Sequence, residues 1–264
     1  MSKQVRLTAP NITAMKQSGE KIVVVTAYDY PTAQLADPHA DVLLVGDSLA
    51  MVVQGHDSTI PVTLDQMIYH GEMVARAAER ALVVVDLPFP TFQLGPTSAL
   101  EASARILKET GAQAVKLEGG VQRTETIKML VQAGIPVMAH VGLLPQNVLK
   151  LGGYRVQRDA DRLISDALAV EQAGAFAVVL ECVPAEAAAR VTEQLTIPTI
   201  GIGAGPQCDG QVLVWHDMLG MTEGETPRHV RLYADLSETI SESLAQYRAQ
   251  VRSGKFPGSE NSFE

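Results

Sequence analysis

Short β-branched runs bounded by turn residues recur along the chain, and several of them end on an acidic side chain: Asp47, Asp86, Glu118 and Glu181. Apolar runs of this length between turn signals read as buried strands. The candidates are residues 22–28, 42–47, 81–86, 114–118, 136–141, 177–182, 198–203 and 211–215. Helical patterns separate most of them. Thr63 with Gln66, and Ser98 with Glu101, have the spacing of capping boxes. Leu100, Ser103, Ala104 and Leu107 then follow helical periodicity up to Gly111, which suits a left-handed C-cap. A last long helix is predicted over about 236–251, with Leu236, Ile240, Leu244 and Val251 on one stripe.

Strands alternating with helices call for a parallel sheet, and eight of them predict a single (β/α)8 TIM barrel. The expected domain spans 1–264, with an N-terminal segment to about residue 20 and an irregular C-terminal tail over about 254–264. A repeat supports this. The segment 111–118 (Gly-Ala-Gln-Ala-Val-Lys-Leu-Glu) is echoed by 174–181 (Gly-Ala-Phe-Ala-Val-Val-Leu-Glu), and Ile135-Pro136 by Ile197-Pro198, at a period of about sixty residues.

Strand alternation assigns directions. In 114–118, Lys116 and Glu118 share a face with Ala114, and Val115 and Leu117 share the other. If the apolar face meets the helices, Lys116 and Glu118 point into the barrel near its C-terminal mouth, where barrels of this kind keep their chemistry. By the same count Val45 with Asp47, Val84 with Asp86, and Val179 with Glu181 face inward. An acid at a strand end can also cap the following helix; four inward acids and a lysine on separate strands favour a site.

The 264 residues suit one barrel, and 46% hydrophobic residues suffice for its core. No apolar run is long enough to cross a bilayer, and the first twenty residues carry no signal-like stretch, so cytoplasm is the expected compartment, with no membrane partner. The two cysteines, Cys182 and Cys208, lack metal-type spacing and read as packing residues. A formal net charge of −9 opposes nucleic acid as a partner.

Four carboxylates in one low-dielectric mouth require a counter-charge. Lys116 supplies part of it, and an all-oxygen donor set suits Mg²⁺ for the rest. His140 reads as a hydrogen-bonding wall residue. Such a site fits the deprotonation of a 2-oxo acid at C3, with the ion as Lewis acid and Lys116 aimed at the developing oxyanion. Glu181, flanked by Cys182 and Val183, is the candidate base; a further carboxylate role around the ion is its alternative. The segment Gly201-Ile-Gly-Ala-Gly205 does not match a dinucleotide fingerprint and reads as a flexible strand-end wall whose small residues would let a flat ligand approach the backbone, with plain tight turning an equal alternative.

Several ordered segments carry a resemblance: Thr26-Ala-Tyr-Asp-Tyr30, Val45-Gly-Asp-Ser-Leu49, Gln54-Gly-His-Asp-Ser-Thr59, Lys116-Leu-Glu-Gly-Gly120, Gly152-Gly-Tyr-Arg-Val-Gln157, Leu180-Glu-Cys-Val-Pro184 and Gly201-Ile-Gly-Ala-Gly205. The chain resembles the ketopantoate hydroxymethyltransferase family from about residue 20 onward. The resemblance implies a barrel of the phosphoenolpyruvate/pyruvate type that transfers a one-carbon unit from 5,10-methylenetetrahydrofolate to 2-oxoisovalerate, giving 2-dehydropantoate on the way to pantothenate and coenzyme A. It also implies Mg²⁺ held by Asp47, Asp86 and Glu118, oxo-acid contacts from Asp47, Ser48, Asp86 and Lys116, Glu181 as proton acceptor, and a cytoplasmic homo-oligomer, commonly a decamer. Ala50, Leu144 and a shortened stretch after Gln157 depart from the family pattern, and the last puts shielding of the mouth in doubt. A Mg²⁺-dependent 2-oxo acid lyase or mutase of the same superfamily is the alternative, although no Lys-Lys-Cys-Gly-His loop is present.

Overall fold

Strands buried on both faces need apolar side chains at consecutive positions, and residues 42–45, 82–86 and 114–118 are buried throughout. In the computed structural model, which describes residues 6–222, 224 and 226–263, these runs become strands of one closed parallel barrel. In chain order they are β1 (Ile22–Thr26), β2 (Val42–Val45), β3 (Leu82–Asp86), β4 (Ala114–Glu118), β5 (Val137–Gly142), β6 (Ala177–Glu181), β7 (Thr199–Ile202) and β8 (Gly210–Leu213). Each pairs with the next, and β8 closes on β1 from Ile22↔Gly210 to Val25↔Leu213. The fold is a (β/α)8 TIM barrel.

Side chains from all eight strands form one interior cluster, including Ile22, Val24, Val42, Leu44, Leu82 and Val84. The N-terminal segment holds a helix, Ala9–Ser18, that joins it: Ile12 is fully buried in the same cluster. Lys16 on that helix pairs with Asp209 at 2.8 Å and donates to the Thr192 carbonyl, fastening the N-terminal end of the barrel.

Helix Leu64–Ala77 starts at the predicted capping box, with Gln66 N donating to Thr63 Oγ1 (3.2 Å) and Thr63 N to Gln66 Oε1 (2.8 Å). The second predicted box does not form. Helix Pro96–Thr110 begins earlier, with Gly95 at its cap, because Pro96 is preorganised for the first helical position; Ser98 therefore lies inside the first turn. Strand ends are also shorter than predicted at 22–28, 42–47 and 211–215, and Trp215 opens a short helix, Trp215–Met218.

No helix separates β7 from β8 among the described residues. Residues 203–209 make the link alone, whereas parallel neighbours usually need a dozen or more connecting residues. Gly203 and Gly205, at φ +64° and +82°, supply left-handed backbone that lets the chain return so quickly. Tight turning thus accounts for the glycine-rich segment.

The barrel lies in the first of two compact units, Met1–Val214; the second is Trp215–Glu264. In the second, Asp235 caps helix Leu236–Arg252 through Glu238 N (3.1 Å), and no residue of that helix is buried. Ile240, Leu244, Tyr247 and Val251 are all exposed on it. No described helix is long and apolar enough to cross a membrane.

Candidate active site at the barrel mouth

The interior residues Val84, Ala114, Met138 and Val179 set the inward parity of β3 to β6. Two or four residues further along each strand, that parity delivers Asp86, Lys116, Glu118, His140 and Glu181 to the C-terminal mouth. Strand register then sets neighbours: Asp86 pairs with Lys116, Glu118 with His140, and Gly142 with Glu181. Gly142, at φ +95°, is required there because a Cβ would collide with the Glu181 carbonyl.

Asp47 reaches the same place by another route. Val42 and Leu44, not Val45, face the interior of β2, so the predicted inward pair Val45 and Asp47 is incorrect as a strand argument. The strand ends at Val45, the pleat stops at Gly46, and Asp47 sits in the following turn with its backbone N donating to Asp86 Oδ2 at 3.0 Å. A turn, rather than alternation, aims its carboxylate. Next to it, Ser48 Oγ lies 2.8 Å from the hydroxyl of the buried Tyr28.

The buried members, Asp47, Asp86, Lys116, Glu118 and His140, are each at most 6% exposed. Lys116 Nζ lies 3.0 Å from Asp86 Oδ1 and 3.3 Å from His140 Nδ1, and His140 Nε2 lies 3.1 Å from Glu181 Oε2. An ammonium can only donate, so His140 Nδ1 is the acceptor and Nε2, on the side of Glu181, carries the hydrogen. This assignment agrees with the electrostatics, since burial and then Lys116 hold the His140 pKa below its ordinary value, leaving the ring neutral. Asp86, Lys116, His140 and Glu181 thereby form one continuous polar chain across β3 to β6.

Charge balance in the mouth is unfavourable to the acids. Burial, and then the Asp86 charge, push the Asp47 carboxyl up to about 7 against the opposing pull of Lys116 and Gln146. Burial and Asp47 likewise raise Glu118 well above the usual carboxylate range. Burial alone would lower Lys116, but Asp86, Asp47 and Glu118 hold its pKa above the ordinary value. Lys116 is therefore a fixed cation and a poor Schiff-base nucleophile. Cys182, at φ +48° behind Glu181, has its thiol pushed up to about 11 by burial and the Glu181 charge, so it stays protonated.

A family model described as ketopantoate hydroxymethyltransferase matches residues 6–259. The chain belongs to the ketopantoate hydroxymethyltransferase family. It is an enzyme, a transferase. It is 56% identical over 260 residues to the 3-methyl-2-oxobutanoate hydroxymethyltransferase of Rhodopirellula baltica, covering 98% of this chain and 97% of that one. It is 52% identical to the enzyme of that name from Moorella thermoacetica, covering both chains completely. Among solved structures, the fold is similar to phosphoenolpyruvate phosphomutase from Streptomyces platensis subsp. rosaceus (TM-score 0.63, 16% identity, 94% and 88% of the two chains). It is also similar to a phosphonopyruvate hydrolase in complex with oxalate and Mg²⁺ (TM-score 0.60, 12% identity, 97% and 93%). At such identities these two likenesses speak to fold alone.

For a chain of the ketopantoate hydroxymethyltransferase family, whether the mouth fits a divalent ion can be judged from its donors. Among the described residues no three His, Cys, Asp or Glu side chains close on a common point tightly enough to cage an ion. Mg²⁺ does not ask for such a cage, since it keeps several waters and takes one or two carboxylates directly. Burial first and neighbouring carboxylates second disfavour the charged forms of Asp47 and Glu118, a surplus of negative charge that a hard divalent cation on oxygen donors would offset, so the donor set fits Mg²⁺.

Two residues of the mouth escaped the sequence reading in this role. Gln146, buried in the turn Pro145–Asn147 after β5, bonds to both Asp47 and Glu118. Tyr154, from the segment that follows Gly152 and Gly153, donates to Met51 Sδ at 3.5 Å, and its pKa is raised by burial and by Asp47, Glu181 and Glu118. It therefore stands near the acids, and Gln157 N is tied to the Cys182 carbonyl at 3.1 Å. Residues 154–157 thus run beside the mouth.

Proposed function

We propose that the chain transfers a hydroxymethyl group from 5,10-methylenetetrahydrofolate to 3-methyl-2-oxobutanoate, producing 2-dehydropantoate and tetrahydrofolate, as a cytoplasmic step of pantothenate synthesis. Family membership supports the overall reaction. The observation that carries the mechanism is the continuous chain from Asp86 through Lys116 and His140 to Glu181, beside two acids with raised pKa values. When bound by Asp47, Asp86 and Glu118, Mg²⁺ would polarise the keto and carboxylate oxygens of the oxo acid and make its C3 hydrogen acidic.

The chain's own groups divide the remaining work. Glu181, which keeps 19% of its side chain exposed toward the mouth, takes the C3 proton. His140 Nε2, 3.1 Å from Glu181 Oε2, stands beside that carboxylate and limits where it can turn. Lys116, held charged by Asp86, stabilises negative charge that develops on the former keto oxygen. Ser48, oriented by Tyr28, contacts the substrate carboxylate. Water adds to the methylene carbon of the folate, both of its C–N bonds break to leave tetrahydrofolate, and the nucleophilic C3 then bonds to the released one-carbon carbonyl, whose oxygen takes up the proton and becomes the new hydroxyl. Incubation with both substrates and Mg²⁺ tests the reaction: 2-dehydropantoate is expected, and phosphonate or carbon–carbon cleavage activity without it would overturn the reading.

Proton competition gives a pH signature. The folded chain without metal holds an extra proton at Asp47 from the ordinary carboxylate range up to about pH 7, and Glu118 likewise keeps its proton above that ordinary range. Their folded pKa values are raised, so these groups make stability fall as pH rises through that window. Mg²⁺ must displace the same protons, and its binding weakens as pH drops below about 7. Thermal midpoints with Mg²⁺ and with EDTA should differ more at pH 8 than at pH 5.5; equal shifts would contradict this charge assignment.

The assembly is proposed to be a homo-oligomer, a decamer by resemblance. Support comes from the exposed Ile240, Leu244, Tyr247 and Val251 of one helix, an apolar set of the kind that marks subunit contacts.

A further inference from the structure

The end of β5 contributes a residue to which the reaction above assigns nothing. Gln146 is uncharged and lies in a single turn of 3-10 helix, Pro145–Asn147, yet it is buried and fully used. Its Nε2 donates to Asp47 Oδ2 at 2.9 Å and to the Leu87 carbonyl at 3.0 Å, which takes up both of its amide hydrogens. Gln93 Nε2 donates to its Oε1 at 2.7 Å. Its backbone N donates to Glu118 Oε2 at 3.1 Å. A carboxylate and a carbonyl can only accept at one end of the amide, and the Gln93 amide donates at the other, so the amide has one allowed orientation.

These partners come from different strand ends. Asp47 follows β2, Leu87 follows Asp86 at the end of β3, and Glu118 ends β4, while Gln146 itself follows β5. A single residue thus ties together the three strand ends that carry Asp47, Asp86 and Glu118. It does so with neutral donors. A lysine or arginine here would neutralise the acids and compete with a cation, whereas an amide and a backbone N–H take up one oxygen of Asp47 and one of Glu118 without cancelling their charge. Groups that orient metal-binding carboxylates in this way commonly matter to metal affinity about 10- to 100-fold.

We propose that Gln146 is a positioning residue for the divalent ion: it holds Asp47 and Glu118 at fixed separation and turns the second oxygen of each toward one ion. The inference rests on the metal-assisted reading of the site given above. A residue with a purely structural role would also be buried and bonded, and Gln146→Met would then lower stability alone. Metal affinity separates the two.

The experiment is calorimetric titration of Mg²⁺ into the full chain at pH 8 without substrates, for the native protein and for Gln146→Met, with thermal unfolding in EDTA as a check on the fold. Gln146→Met is expected to weaken Mg²⁺ binding at least tenfold and to raise the Mg²⁺ needed for half-maximal turnover by the same factor, with kcat at saturating Mg²⁺ falling much less. A folded Gln146→Met protein whose Mg²⁺ affinity stays within twofold of native overturns the proposal. Native protein that binds no Mg²⁺ overturns the metal reading itself, which is a different outcome. Should Gln146→Met not fold, Gln93→Leu decides, because it removes only the donor that orients the amide: a loss of about threefold in Mg²⁺ affinity supports the proposal, and unchanged affinity overturns it.

Discussion

Glu181→Gln is expected to slow exchange of the C3 hydrogen of 3-methyl-2-oxobutanoate about 10³-fold, the loss typical when a positioned general base is removed. The substitution keeps the size of the side chain and its contact with His140 Nε2, which lies 3.1 Å from Glu181 Oε2. It leaves Asp86, Lys116 and Glu118 untouched. Oxo-acid and Mg²⁺ affinity should therefore stay within about tenfold, or about 1.4 kcal/mol. Exchange followed by NMR in deuterated buffer reads the first quantity and calorimetry the second. A variant that exchanges at the native rate would move the base elsewhere, with His140 the nearest other candidate.

Lys116→Met should be costly in two separate measurements. Its ammonium, 3.0 Å from Asp86 Oδ1, is the fixed charge facing three buried acids, and its removal leaves Asp86 unpaired in a low-dielectric site. Breaking a buried pair from one side costs about 3–5 kcal/mol, so denaturant unfolding in EDTA at pH 8 should show a loss of that order. Loss of preorganised charge at the oxyanion should lower kcat about 10²- to 10³-fold even where Mg²⁺ is saturating. The two effects differ in what relieves them: added Mg²⁺ should restore part of the stability, because it supplies the missing positive charge, but little of kcat. Native stability in EDTA would show that Lys116 does not offset the acids.

The barrel and most of its mouth were legible because the physics there is local. A strand buried on both faces must be apolar at every position, so Asp86, Lys116, Glu118 and Glu181 stand out as exceptions, and alternation then gives their direction. Asp47 shows the limit of that reasoning. It stands in the sequence as an acid after an apolar run, but Gly46 ends the pleat before it, and only the turn geometry decides where its carboxylate goes. The helix predicted to start at Ser98 failed for a related reason, since Pro96 had already fixed an earlier start. Gln146 gave no signal at all. An amide in a turn is an ordinary surface residue by composition, and its place among Asp47, Leu87, Gln93 and Glu118 arises from contacts between segments far apart in sequence. The missing helix between β7 and β8 was hidden in the same way, because the glycines at 203 and 205 mark a turn without saying how little chain the barrel needs to close.

The most direct test of the central claim is deuterium exchange at C3 of 3-methyl-2-oxobutanoate by the native chain, without folate, before and after exhaustive removal of divalent ions with EDTA. Exchange that needs no folate, disappears on chelation and returns with Mg²⁺ is the predicted result. Exchange that continues undiminished in the chelated protein would contradict the account.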